Sequence, residues 1–145
     1  MSDRAEPVHP VRQLILDRAR AVLDRDVVGA TVANADDVVT FDVLPPLRNV
    51  GAEGIRTRAE GWFAGYAEGP GYELRDLEVV AGDDVAFAYY LYRVTGTLVD
   101  GGEVAMWVRA TLGMRKIGAD WRIVHEHDSV PFDPESGRAM LDLEP

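Results

Sequence analysis

The chain has 145 residues, no cysteine, and 25 acidic against 15 basic residues, a formal net charge of −10. Without cysteine there is no disulfide and no thiolate metal site, and so acidic a surface repels nucleic acid and anionic membranes. No apolar run approaches the ~18 residues of a membrane span, and "MSDRAEPVHP" has no apolar signal core, which predicts a cytoplasmic protein.

A composition of 47% hydrophobic and 28% charged residues supports a real core, and the length predicts one domain over 1–145. Residues 1–9 read as a mobile N-terminus. After Pro10, suited to a first helical turn, Val11, Leu14, Ile15, Ala19, Val22 and Leu23 form one apolar stripe and predict a helix over 10–24. Asp26 can cap a second short helix that ends near Asn34. "DVVTFDV" predicts a strand over 37–43, and "LPPLRNVGAEG" a loop, because Pro45-Pro46 forbids a regular ladder. Ile55, Ala59, Trp62, Phe63 and Tyr66 share a helical face and predict a third helix over 52–67 that ends at "EGPG".

The period then changes from helical to alternating. The stretches 72–82, 84–99, 103–117 and 120–130 are rich in Val, Tyr, Trp and Thr. Gly-Asp, Asp-Gly-Gly and Gly-Ala-Asp separate them, so an antiparallel meander is expected. Two of these strands are long enough to require a bend or bulge. Helices first and a sheet second make an α+β fold. Helices roofing a curved sheet leave a cavity, a common ligand site. Residues 133–145 read as a tail or a short helix begun by Asp133 and Pro134.

Chemistry concentrates on three strands. Alternation places Ala105, Trp107, Arg109 and Thr111 on one face, and Val104, Met106, Val108, Ala110 and Leu112 on the other, read as core or subunit interface. Buried, Arg109 needs a partner and can hold a ligand oxygen. In "WRIVHEHDSVP", Ile123, His125, His127 and Ser129 share a face, with the histidines ~7 Å apart. Such a pair could supply two metal ligands. No cysteine can complete the set, and His9 lies in the N-terminal segment, so no metal and no cofactor are expected. Acid/base work suits His127 better. Asp128 faces away in a regular strand, and a bulge before Pro131 would reverse it. Asp42, beside the Pro-Pro loop, is a candidate base whose pKa an apolar wall would raise. Trp62, Tyr66, Tyr89, Trp107 and His125 are candidates for the pocket wall. Alternation does not say whether Phe87, Tyr89, Leu91 and Arg93 or Ala86, Ala88, Tyr90 and Tyr92 face inward. No Gly-rich phosphate loop, G-x-S-x-G elbow, H-E-x-x-H or EF-hand pattern occurs.

"DVVTFDVLPPL", "ELRDLEVVAGDDVAFAYYLYRVTG" and "MWVRATLGMRKIGADWRIVHEHDSVPFDPESGRA" together resemble the SnoaL-like branch of the nuclear transport factor 2-like superfamily, over about 10–142. The resemblance implies a cone of three helices on a curved antiparallel sheet, open to a pocket. It also implies a homodimer through the outer sheet face. The superfamily includes ketosteroid isomerases, limonene epoxide hydrolases, polyketide cyclases and the association domain of calcium/calmodulin-dependent kinase II. That domain carries an arginine where this chain has Asp128, so the positive group for small carboxylates is missing here. Ketosteroid isomerases set an Asp base opposite a Tyr and a protonated Asp. Asp42 lies in the region of that base, and no full Tyr/Asp pair is matched by motif.

Two functions follow. One is a cofactor-independent isomerase, cyclase or hydratase acting on a small, mostly apolar molecule. Asp42 or a His127/Asp128 pair moves the proton, and Arg109 holds the oxygen that gains charge. The other is a non-catalytic ligand-binding or association module.

Overall fold

The computed structural model describes residues 8–145, so most of the expected mobile N-terminus lies outside the described residues. Helix α1 (Pro10–Leu23) starts where proline's missing N–H costs nothing. His9 caps it, its Nδ1 accepting from the Val11 N–H at 3.1 Å. Helix α2 (Val27–Thr31) is capped by Asp26, which accepts from the Gly29 N–H. It stops short of Asn34 because that residue already opens strand β1 (Asn34–Phe41). The expected strand was 37–43. Strand β2 (Asn49–Val50) pairs back onto β1 within the segment expected to be loop.

Helix α3 (Ala52–Ala64) is shorter than expected. The Val99 N–H donates to the Gly65 carbonyl at 2.9 Å and draws the chain into the sheet. Tyr66 is therefore the first residue of strand β3 (Tyr66–Ala81) rather than the end of a helix. "EGPG" lies inside that strand. β3 is an edge strand with register shifts on either side of Glu68, where a proline is tolerated. At its partner Gly96 a Cβ would sit 2.6 Å from the Glu68 carbonyl oxygen, so only glycine permits this approach.

Strands β4 (Val85–Leu98), β5 (Glu103–Ile117) and β6 (Asp120–Ser129) complete the expected meander. The sheet order is β2-β1-β6-β5-β4-β3. Because β1 runs parallel to β6, the sheet is mixed rather than wholly antiparallel. That pairing joins residues far apart in sequence, with no local turn to announce it.

The helices cover one face. Val11 and Ile15 of α1 pack on Val38, Ala86, Ala88, Tyr90, Ala110, Leu112, Met114 and Ile123. Ala21, Val22, Ala30 and Phe63 join the three helices in a second cluster. The inner face of β4 is thus the Ala86–Tyr90–Tyr92 set, and that of β5 the Val104–Met106–Val108 set.

The C-terminal segment, expected to be a tail or a short helix, carries a turn and an isolated bridge. Asp133 accepts from the Glu135 N–H and the Ser136 hydroxyl, closing a turn. Phe132 then bridges Ala139.

Candidate functional site

Beneath the helices lies a cavity of about 680 Å³. Its apolar wall includes Val22, Trp62, Phe63, Val104, Met106 and Val108, with Tyr66, Tyr72, Tyr90 and Tyr92 beside them. Its polar groups include Arg18, Asn34, Thr40, Asp42, Arg58, Glu126 and Asp128.

A register shift in β6 decides which residues reach it. Met114 pairs with Ile123, whereas Gly113 pairs with His125, leaving Val124 as an extra residue. Beyond it the register is unbroken from Gly113↔His125 to Arg109↔Ser129. Ile123 therefore points inward, and His125, His127 and Ser129 point outward. Glu126 and Asp128, opposite Leu112 and Ala110, point inward. No bulge before Pro131 is needed to bring Asp128 to the cavity.

This corrects the expectation that Arg109, Trp107 and the histidines share the cavity. Their face is the convex one. Arg109 is exposed there and its Nε donates to the Ser129 Oγ at 3.2 Å. The His125 Nδ1–H donates to the Val39 carbonyl at 2.7 Å. Phe41 packs edge-on to both histidines, with centroids 4.8 and 5.5 Å away. Tyr89 stacks with Phe87 on the same outer face. Of the candidates, Asp42, Trp62, Tyr66 and Asp128 line the cavity; Arg109, Trp107, Tyr89, His125 and His127 do not.

The floor is an Arg–Glu–Asp cluster. Arg18 of α1 makes an ion pair with Glu126, and its Nε donates to the Ala30 carbonyl. The two side chains keep only 19% and 13% of their exposure. Burial disfavours both charges, yet each is held ionised by the other: Arg18 ends above its ordinary value and Glu126 below. Asp128 goes the other way. Burial, then repulsion from Glu126, pushes its carboxyl well above the ordinary aspartate range. Arg18 keeps Glu126 ionised, so Asp128 is the carboxyl that holds a proton.

Tyr72, Tyr90 and Tyr92 surround the cluster, with Tyr72 and Tyr92 stacked at 4.9 Å. Burial raises all three phenols, which remain protonated. At the cavity's other side, Asp42 follows β1. It accepts from its neighbour's backbone N–H at Val43 and pairs with Arg58 at 3.0 Å. Among the described residues no three His, Asp or Glu side chains converge as a metal site would require.

Arg18, Tyr72, Tyr90, Tyr92 and Glu126 were not singled out from sequence. Their signal was present as Tyr-x-Tyr on one strand, whose face alternation left open, and as Glu-x-Asp on another, which was expected on the face opposite the histidines and so away from the cavity.

The proton on Asp128 has a consequence for stability. Below about pH 3 folded and unfolded chains both largely keep it. As pH rises, the unfolded chain ionises first and is lowered in free energy, so stability falls until the folded value is passed. Glu126 has the opposite sign: its contribution is present above the ordinary glutamate range and lost on acidification through its folded value. Asp128→Asn removes the first effect. The variant's stability relative to wild type should rise by more than about 1 kcal/mol between about pH 4 and pH 8. Urea unfolding at both values checks this; an unchanged difference would reject a proton held on Asp128.

A curved sheet under three helices, with a polar cluster at the floor of an apolar cavity, defines the class: an α+β cone. A sequence profile of the SnoaL-like domain matches residues 11–133, and the chain belongs to that family. A solved nuclear transport factor 2-like protein of unknown function from Pseudomonas putida is 36% identical, covering 93% of this chain and 94% of its own, with a TM-score of 0.85. Two further structures share the fold. One, from Novosphingobium aromaticivorans, is a nuclear transport factor 2-like protein with a cystatin-like fold (19% identity, 89% and 84% covered, TM-score 0.72). The other is a ketosteroid isomerase-like protein from Erwinia carotovora (18% identity, 83% and 92% covered, TM-score 0.70). No curated protein matches the chain.

Proposed function

We propose that the chain binds a small, mostly apolar molecule in its cavity and acts on it as a cofactor-independent isomerase, cyclase or hydratase. The observation that carries this reading is the buried Arg18–Glu126–Asp128 cluster. It keeps a carboxyl protonated at the floor of an apolar cavity, with Asp42 at another wall. Asp42 is the base that removes a carbon-bound proton. The Asp128–Glu126 pair gives or takes a proton at the ligand's oxygen, and the tyrosine hydroxyls stabilise charge that develops there. One such group accelerates a reaction by ~10²–10⁴.

The test is a ligand screen with mass-spectrometric detection of turnover. Asp42→Asn and Asp128→Asn should each lose at least ~10²-fold in rate, whereas His127→Ala, on the convex face, should turn over as wild type does. Equal turnover in all four proteins would reject the assignment.

A second reading, association without turnover, has its own support on the convex face. Phe41, Phe87 and Tyr89 are exposed there, and buried aromatics of this kind anchor interfaces. The proposed assembly is a homodimer through this face, compatible with either function. Among the described residues no helix is long and apolar enough to cross a membrane.

A further inference from the structure

We propose that residues 42–48 form a lid over the mouth of the cavity, latched shut by Arg58 of α3. This rests on the reading of the cavity as a ligand site and adds the route by which a ligand enters.

The strand registers put the mouth at one end of the sheet. β1 ends at Phe41, beside His127 near the end of β6. β5 starts beside the end of β4, at Thr97↔Glu103, and β3 starts there too, at Tyr66↔Leu98. The cavity residues Asp42, Val43, Leu44, Tyr66, Leu98 and Val104 therefore gather at this end. Residues 42–48 leave β1 here and return in β2, and the Thr40↔Asn49 pair closes their base. A compact surface loop with joined ends is the form that active-site lids take. Leu44 lines the cavity and is nevertheless exposed, as a side chain at a rim is.

Little else holds the loop closed. Among the described residues, no backbone-to-backbone hydrogen bond involves 43–47. One guanidinium supplies the fastening. Arg58 donates to the Asp42 Oδ2 at 3.0 Å and to the Pro45 carbonyl at 3.3 Å. These two bonds tie the root and the crest of the loop to α3. Both side chains of the ion pair are half-buried, so water competes for them and the fastening is weak. A weak fastening on a segment with few other ties places the loop among the parts of the fold that open most easily.

Two measurements test the lid. The chain has no cysteine, so Leu47→Cys gives a single spin-label site, on a side chain that is 95% exposed at the loop's tip. The label should become more mobile when Arg58→Met is added. Stopped-flow fluorescence then reads entry and exit with prodan, a neutral naphthalene ketone whose emission reports polarity. Arg58→Met should raise the association and dissociation rate constants together, by at least about three-fold, and leave Kd within about two-fold of wild type. Equal label mobility with and without Arg58→Met overturns the lid, whether or not the dye binds. A more mobile label with unchanged rate constants overturns the loop's control of entry. A changed Kd with an unchanged association rate makes Arg58 a ligand contact rather than a latch, and also overturns it. Failure of the dye to bind while the label responds overturns the cavity as a site for apolar ligands, and leaves the latched loop standing.

Discussion

Arg18→Met should cost about 3–5 kcal/mol of folding stability at neutral pH, measured by urea unfolding, because it strands Glu126 without its counter-charge. The residual exposure of the pair, 13% for Glu126, lets cavity water soften the loss toward the lower figure. The cost should shrink in acid, where Glu126 takes up a proton instead. Combining Arg18→Met with Glu126→Leu should recover most of the loss, since an apolar pair of similar volume is often as stable as a buried ion pair. The two substitutions would then be strongly non-additive. Additive losses would mean that Arg18 acts through α1–α2 packing and its bond to the Ala30 carbonyl, and not through Glu126.

Phe87→Glu should weaken self-association by about 30-fold or more, seen as a shift from dimer to monomer in sedimentation at micromolar concentration. Phe87 and Tyr89 remain 46% and 48% exposed in the isolated chain and lie stacked on the convex face. Truncating a central aromatic anchor typically costs about 2 kcal/mol or more, and a carboxylate adds desolvation. The substitution points away from the helices and cavity, so the monomer should keep its fold. A wild-type chain that sediments as a monomer, or a variant that still dimerises, would remove the convex face from the assembly.

The helices and hairpins were legible in sequence because their signals are local. The stripe Val11–Leu14–Ile15 has a helical period, and Gly-Asp and Asp-Gly-Gly mark reversals between strands. The β1–β6 pairing was not, because nothing within either segment specifies a parallel neighbour about ninety residues away. The site was half legible. Asp42, Trp62, Tyr66 and Asp128 line the cavity, but the face carrying Arg109 and the histidines was expected inside. The error has a physical source. Alternation sorts a strand into two sets without saying which is covered. Here the apolar set Val104–Met106–Val108, which reads as plain core, is the cavity wall, because an apolar cavity wall and a packed core look alike in sequence. The polar set is on the surface, where polar residues are cheapest to keep.

The extra residue at Val124 does more than bend a strand. "HEHD" contains two complete and chemically different floors, one of imidazoles and one of carboxyls, interleaved at alternate positions. Were β6 to pair in simple register beyond Ile123, His125 and His127 would enter the cavity, and Glu126 would leave Arg18. The bulge is thus a parity choice between a pair of imidazoles and a pair of carboxyls. Gaining or losing one residue at this point would exchange the two without altering any residue of the tetrapeptide. Reactivity in this fold can therefore turn on insertion and deletion in the backbone, as well as on side-chain substitution.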